Sequence, residues 1–429
     1  MIQNIILFFI MYIYYLPRAS NSLLKVLINL SQNIYSKDFK NMFILFPANI
    51  CYTFPLASLY SNFKISFYDI DFNNLYPLNL ENIIPLYPKD SLILLNIVIP
   101  YGNFDFNKIL SLKNKINKIN ELIIKDNRLV IILWDMALVM ITQEILNLIF
   151  SNFKLFNQDF FIFSFSYAKQ LELGYGSLLI SPFKLNINLK LQITKDHIPK
   201  LINKVDKIFK GSRIFYSLNK TEILNKILNN KNVFYCYNSE LDLTTQIELE
   251  NIINKILNNK DFELNLRNNF KISYYNLLNL KRNINSYYFS IFQELINKNK
   301  INDIELLDNN LLSWRFNIRV NFNRDKLLKE LFKEKVFVSR LFPVVAHLFI
   351  DKNSYLNNSY LNNSHLNNSQ NFQNSSNHWL KIINLFNNHL VLNFSHSKIS
   401  NSLNSLNSKD YLNSDYIKKI IQVIQRIYI

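Results

Sequence analysis

Phe163-Ser-Phe-Ser-Tyr-Ala-Lys-Gln-Leu-Glu-Leu-Gly-Tyr-Gly-Ser-Leu-Leu-Ile180 sets one lysine, Lys169, on a short loop between two strand-like apolar runs. The chain has 429 residues and four glycines, and two of these, Gly174 and Gly176, fall just after the lysine. Glycine serves where the backbone turns sharply or approaches a ligand closely. A glycine-poor sequence that places two here marks the loop as a constrained one.

Outward from this loop, residues 20 to 185 alternate helix-like segments with short apolar runs: Phe43 to Phe46, Phe63 to Tyr68, Leu92 to Ile99, Leu129 to Trp134, Phe160 to Phe165 and Ser177 to Ile180. Continuous runs of Ile, Leu and Phe are the pattern of strands covered on both faces. Helices between them imply crossovers, hence a mostly parallel α/β sheet. Ligands of such sheets gather beyond the carboxyl ends of the strands. Asp135 follows the run Leu129 to Trp134, and Lys169 follows Phe160 to Phe165, so both are expected at that edge.

The lysine segment resembles the region around the Schiff-base lysine of the DegT-type (DegT/DnrJ/StrS) sugar aminotransferases, which use pyridoxal phosphate. Further similarities follow in the same order along the chain. Pro17-Arg-Ala-Ser-Asn-Ser-Leu-Leu24 looks like the family's opening helix, and Phe46-Pro-Ala-Asn-Ile-Cys51 and Phe67-Tyr-Asp-Ile-Asp71 like its second and third strand ends. Ile99-Pro-Tyr-Gly102 and Val130-Ile-Ile-Leu-Trp-Asp-Met-Ala137 come next; Trp314-Arg-Phe316, Asn323-Arg-Asp325 and Leu392-Asn-Phe394 resemble landmarks of the small C-terminal domain.

The resemblance implies a pyridoxal-phosphate transferase of fold type I, with a large, doubly wound, mostly parallel domain and a small C-terminal α/β domain. The large domain is expected over residues 1–190, a helical connection completing it over 191–300, and the small domain over 301–429. It also implies roles. Lys169 bonds the cofactor and shuttles the proton, Asp135 holds the pyridine nitrogen, Ala19 and Ser20 supply helix amides to the phosphate, and Ser164 adds a hydroxyl. Tyr101 and Arg315 are candidates for the substrate pocket. The implied reaction moves an amino group, with glutamate as donor, onto a keto sugar linked to a nucleotide, in a cytoplasmic homodimer.

Each residue alone has an ordinary alternative: an exposed lysine, a capping aspartate, a buried serine, a surface arginine. Order and spacing together carry the reading. Departures from the family pattern lie at Leu138, where Gln or His is usual three residues after the acid, and in the thinned turn Gly174-Tyr-Gly-Ser177. No glycine precedes Asp159, and no stacking residue is evident around Ile50 to Tyr52. These departures leave a second reading open, a degenerate relative that binds without turnover.

The net charge of +17 comes from scattered lysines, many beside asparagine, and forms no basic stripe interleaved with aromatics. Nucleic acid is therefore not expected as a partner, while a diphosphate-bearing substrate suits the charge. The bias toward Asn, Ile, Lys, Phe and Tyr also fits an AT-rich genome. Two cysteines, Cys51 and Cys236, make no disulfide framework or metal knuckle. All six histidines lie from His197 onward, away from the proposed catalytic half, and no metal site is expected; neither a P-loop nor a Gly-x-Gly-x-x-Gly stretch occurs.

The run Ile5 to Leu16 is apolar but shorter than the roughly 20 residues of a bilayer span. It has no Lys or Arg before it, so stable insertion is not expected; a basic membrane-associated protein anchored there is the third reading. Three pentads, Tyr355-Leu-Asn-Asn-Ser, Tyr360-Leu-Asn-Asn-Ser and His365-Leu-Asn-Asn-Ser, head an Asn/Ser-rich insertion over about 353–377 that is too polar to bury itself.

Overall fold

The structure, a computed structural model, describes residues 11–35, 38–71, 75–166, 169–171, 173–188, 241–266, 270–299, 301–306, 312, 316–320, 323–334, 338–339, 389–392 and 415–428. Arg315, Trp314, Cys236 and the Asn/Ser-rich insertion lie outside them.

Seven strands form one sheet: β1 (Tyr12–Leu16), β2 (Asn41–Pro47), β3 (Lys64–Tyr68), β4 (Ser91–Val98), β5 (Arg128–Asp135), β6 (Phe160–Ser164) and β7 (Ser177–Ser181), in the order β1-β7-β6-β5-β4-β2-β3. The pairs β3–β2, β2–β4, β4–β5 and β5–β6 are parallel, whereas β7 runs antiparallel to both β6 and β1. Because two antiparallel steps separate β1 from β6, β1 points the same way as the parallel strands. Its carboxyl end therefore lies on the same edge as theirs.

The apolar runs are continuous because both faces are covered. Along β4, Ile93, Leu95 and Ile97 enter one core while Leu92 and Leu94 enter the other. One face carries α1 (Ala19–Asn29) and α2 (Thr53–Ser58). The other carries α3 (Leu80–Ile83), α4 (Phe106–Ile123), α5 (Gln143–Ser151), α6 (Leu243–Leu257) and the first turns of α7 (Tyr274–Asn299).

Helix starts follow local chemistry. Asp105 accepts from the N–H groups of Asn107 and Lys108 at 3.0 and 3.2 Å, and Asp242 from that of Thr245 at 2.9 Å, so each caps its helix. In α4, Ile109, Ile116, Ile119 and Ile123 recur at helical spacing and form the buried stripe.

Two elements differ from the sequence reading. The apolar segment Ile5 to Leu16 contains the edge strand β1, paired residue by residue from Tyr12↔Ser181 to Leu16↔Ser177. The helical connection expected over 191–300 is not helical throughout: β9 (Phe270–Ser273) pairs antiparallel with β8 (Glu263–Leu266), and α7 starts at Tyr274. Alternation in Glu-Leu-Asn-Leu, with Leu264 and Leu266 buried, makes β8 a one-face strand.

A second, antiparallel sheet has the order β10 (Ile304–Leu306), β11 (Phe316–Val320), β13 (His389–Leu392), β12 (Val338–Ser339). The later turns of α7, α8 (Arg324–Lys333) and α9 (Asp415–Tyr428) pack on it through Tyr288, Phe292, Leu327, Leu331, Val423 and Ile424. Among the described residues, no helix is long and apolar enough to cross a membrane.

Inside the large unit, Lys113 of α4 donates to Asp159 at 2.6 Å, and Trp134 Nε1 donates to the other Asp159 oxygen at 3.0 Å. Both members of the ion pair are buried, with side chains 6% and 0% exposed. Removing one member of such a pair strands the other charge. Lys113→Met is therefore expected to lower unfolding stability by about 3–5 kcal/mol, read as a drop in the denaturant midpoint at unchanged slope.

Candidate active site

The carboxyl edge of the parallel strands collects the residues singled out in the sequence. Asp135 ends β5 and is paired in register with Val98 of β4 and Ile162 of β6. Its carbonyl accepts from the Ile99 N–H at 3.0 Å, while the Ile162 carbonyl accepts from the Met136 N–H at 2.8 Å. Ser164 ends β6 and pairs with Ser177 of β7, which pairs with Leu16 of β1. Alternation puts Asp135 and Ser164 on the face that carries α1, because Leu133 and Ile162, two residues before each, pack in that core.

Helix α1 begins at this edge. Its first residues, Ala19 and Ser20, are buried, its N-cap Arg18 makes no side-chain cap, and its first turn has no acidic residue. The first N–H groups of a helix have no partner within it, so the amides here are donors directed off the helix end. Hydrogen bonds fix the helix in place. Ser22 Oγ lies 2.8 Å from Ser177 Oγ, Ser177 Oγ donates to the Leu16 carbonyl at 3.2 Å, and the Gly176 N–H donates to the Pro17 carbonyl at 2.9 Å.

Lys169 follows β6 on the loop to β7 and is half-buried. The loop is closed at its base by the Phe165 N–H donating to the Gly176 carbonyl at 2.9 Å and by the Leu173 and Gly174 N–H groups donating to the Phe165 carbonyl at 3.0 and 3.1 Å. Ser164 and Ser166 hydroxyls are 3.0 Å apart. Gly174 and Gly176 have φ of +94° and +88°, the left-handed backbone that glycine tolerates. Tyr175 between them hydrogen-bonds Glu248 of α6.

Asp135 and Lys169 feel each other. Burial pushes the Asp135 carboxyl up from its ordinary range; the Ala137 N–H, donating at 2.9 Å, and the positive charge of Lys169 pull it back. The acid is thus a buried group whose ionised form is held by a backbone donor and by the lysine.

Tyr101 sits in the turn Pro100–Gly102 after β4 with φ +48° and is 5% exposed. A left-handed, buried tyrosine beside a strand end is a strained position of the kind that clusters at functional sites. Leu138 and Tyr52 are buried and packed in the α1-side core.

Residues that sequence reading passed over also line this region. Tyr68 donates to the Asn96 carbonyl at 2.8 Å, and burial followed by the Asp135 charge raises its hydroxyl well above the ordinary value. Asn96, fully buried in β4, was legible as a polar break in the run Leu92 to Ile99. Gln170, next to Lys169, is 2% exposed and donates to the Leu312 carbonyl at 2.8 Å. Among the described residues, no group of His, Cys, Asp and Glu is placed to hold a metal ion.

With seven strands in this order and the edge so furnished, comparison with solved structures decides the fold. NtdA from Bacillus subtilis, solved with bound cofactor PMP, superposes with a TM-score of 0.54 at 16% identity, covering 96% of this chain and 73% of that one. The chain has the type I pyridoxal-phosphate transferase fold. A DegT DnrJ EryC1 StrS aminotransferase from Brucella abortus gives 0.49 at 13% identity over 97% of this chain and 86% of that one. S. venezuelae DesV in complex with a ketimine intermediate gives 0.49 at 12%, covering 96% and 84%. No family model and no curated protein matches the sequence.

In this type I fold the glycine turn and the acid give separable effects. A Cβ on Gly176 would lie 2.7 Å from Cδ1 of the buried Leu249, which would have to shift, and the φ of +88° is one that a side chain strains. Gly176→Ala is expected to cost about 1–3 kcal/mol from backbone strain, seen as a lower melting temperature. For Asp135 the sign is opposite. A carboxyl raised on folding favours the folded state when protonated, and that stability is lost as pH rises through its folded value. Asp135→Asn is therefore expected to leave the cofactor-free protein as stable as wild type or more so at pH 7, by thermal melting.

Proposed function

We propose that this protein is a pyridoxal-phosphate-dependent aminotransferase of the DegT type, transferring an amino group from glutamate to a keto group of a nucleotide-linked sugar. The observation that carries the reading is the convergence of Lys169, Asp135, Ser164 and the α1 N-terminus on one edge of the sheet, three of them on one face. The NtdA structure of the same fold carries PMP.

The residues fit the group chemically. An uncapped helix start without acidic residues, on the same sheet edge and face as Ser164, suits a phosphate dianion. A buried carboxylate suits a protonated ring nitrogen, and a lysine electrostatically coupled to that carboxylate suits an aldehyde. When bound, pyridoxal phosphate supplies an electron sink for charge developing at the donor's α carbon.

The chain supplies the rest. Ala19 and Ser20 amides and the Ser164 hydroxyl would hold the phosphate, and Asp135 would keep a proton on the ring nitrogen. Lys169 Nζ would be the base that takes and holds the proton of the donor's α carbon. Tyr101 shapes the substrate side of the pocket, with Arg315 as the proposed anion contact. Two chains pair as a homodimer in the cytoplasm, with residues 1–190 forming the large domain, 191–300 completing it and leading to the small domain, and 301–429 forming the small one.

A binding-only relative is the second reading, favoured by buried Leu138 where the family is polar. One experiment separates the two. With added pyridoxal phosphate, wild type is expected to gain a visible absorbance band that bleaches with L-glutamate, and Lys169→Ala to lack it. A band indifferent to every amino donor selects the binding-only relative; no band in wild type sinks the assignment.

A further inference from the structure

Gln170 adjoins Lys169, so the two Cα atoms are about 3.8 Å apart and move together. Its side chain is buried, Nε2 donates to the Leu312 carbonyl at 2.8 Å, and Oε1 accepts no hydrogen bond. An amide in this position carries a desolvation cost that an apolar side chain of the same length would avoid. What it gains is a tie to a distant segment, 142 residues on.

That segment is not incidental. Leu312 packs against the core of the large sheet and lies three residues before Arg315 and four before β11. β11 is flanked by β10 and β13 inside the small sheet. The base of the lysine loop is held by its own backbone bonds, and Gln170 ties the loop to a residue between the first two strands of the small sheet.

We propose that Gln170 is a positioning residue for Lys169, its hydrogen bond to Leu312 coupling the lysine loop to the connection between β10 and β11 of the small sheet. The inference rests on the role proposed above for Lys169. Loss of the bond lets the loop centre shift relative to Asp135, and a misplacement of about an ångström in a reacting group slows chemistry by up to about a hundredfold.

The test uses full-length protein with pyridoxal phosphate and L-glutamate, comparing wild type with Gln170→Met, which keeps length but cannot donate. Gln170→Met is expected to retain the visible band, to bleach with glutamate about ten- to a hundredfold more slowly, and to shift the pH at which half the band is lost. Hydrogen exchange is expected to quicken in peptides covering 312–320 and 165–176. If Gln170→Met fails to fold, Gln170→Glu, whose carboxylate would face the Leu312 carbonyl, must give the same slowing and shift. A variant matching wild type in band midpoint and bleaching rate overturns the inference while leaving the cofactor reading intact. A wild type without a band overturns both.

Discussion

Strand β1 enters the sheet beside β7, and the hydroxyls of Ser22 and Ser177, 155 residues apart in sequence, lock that pairing from the helix side. Were β1 elsewhere, the amides that open α1 and the loop that carries Lys169 would have no common edge. The antiparallel insertion of β7 makes this work. It reverses direction once, so that β1 runs with the parallel strands and its carboxyl end meets theirs.

On that frame the site is assembled from groups costly to bury. Asp135, Asn96, Ser164, Ser177 and Ser22 all lie below a tenth exposed in an otherwise apolar layer. Backbone groups answer several of them: the Ala137 N–H for Asp135, the Leu16 carbonyl for Ser177, the Leu133 carbonyl at 3.4 Å for Asn96. The stability to hold them comes from elsewhere, from the aromatic layer of Trp134, Phe156 and Phe161 and from the Lys113–Asp159 pair on the opposite face. Rigidity on one face thus supports a strained and polar arrangement on the other.

The central strands were legible because burial on both faces writes itself as an unbroken apolar run; Leu129 to Trp134 lies within β5 (Arg128–Asp135) and Leu92 to Ile99 overlaps β4 (Ser91–Val98). The edge strand was not, since Tyr12–Leu16 continues an apolar segment with no break to mark where a strand begins. The hairpin β8–β9 was hidden in Lys/Asn-rich sequence, where only every second residue is buried. The places of Asp135 and Ser164 at strand ends, and of Lys169 on the loop after β6, could be read from the apolar runs before them. Tyr68 and Gln170 could not, because each bonds a backbone carbonyl far away in sequence, and a carbonyl has no letter of its own.

The distance between β1 and β7 also has a temporal side. Strand β1 has its pairing partner made some 160 residues later, as the Leu16↔Ser177 register requires. At ribosomal rates of about 5–20 residues per second, β1 waits on the order of ten seconds or more with its polar edge unpaired. Contacts of such separation close slowly. The core strands β2 to β6 can assemble first, whereas the start of α1 and the lysine loop can meet only once β7 has been made and has paired with β1.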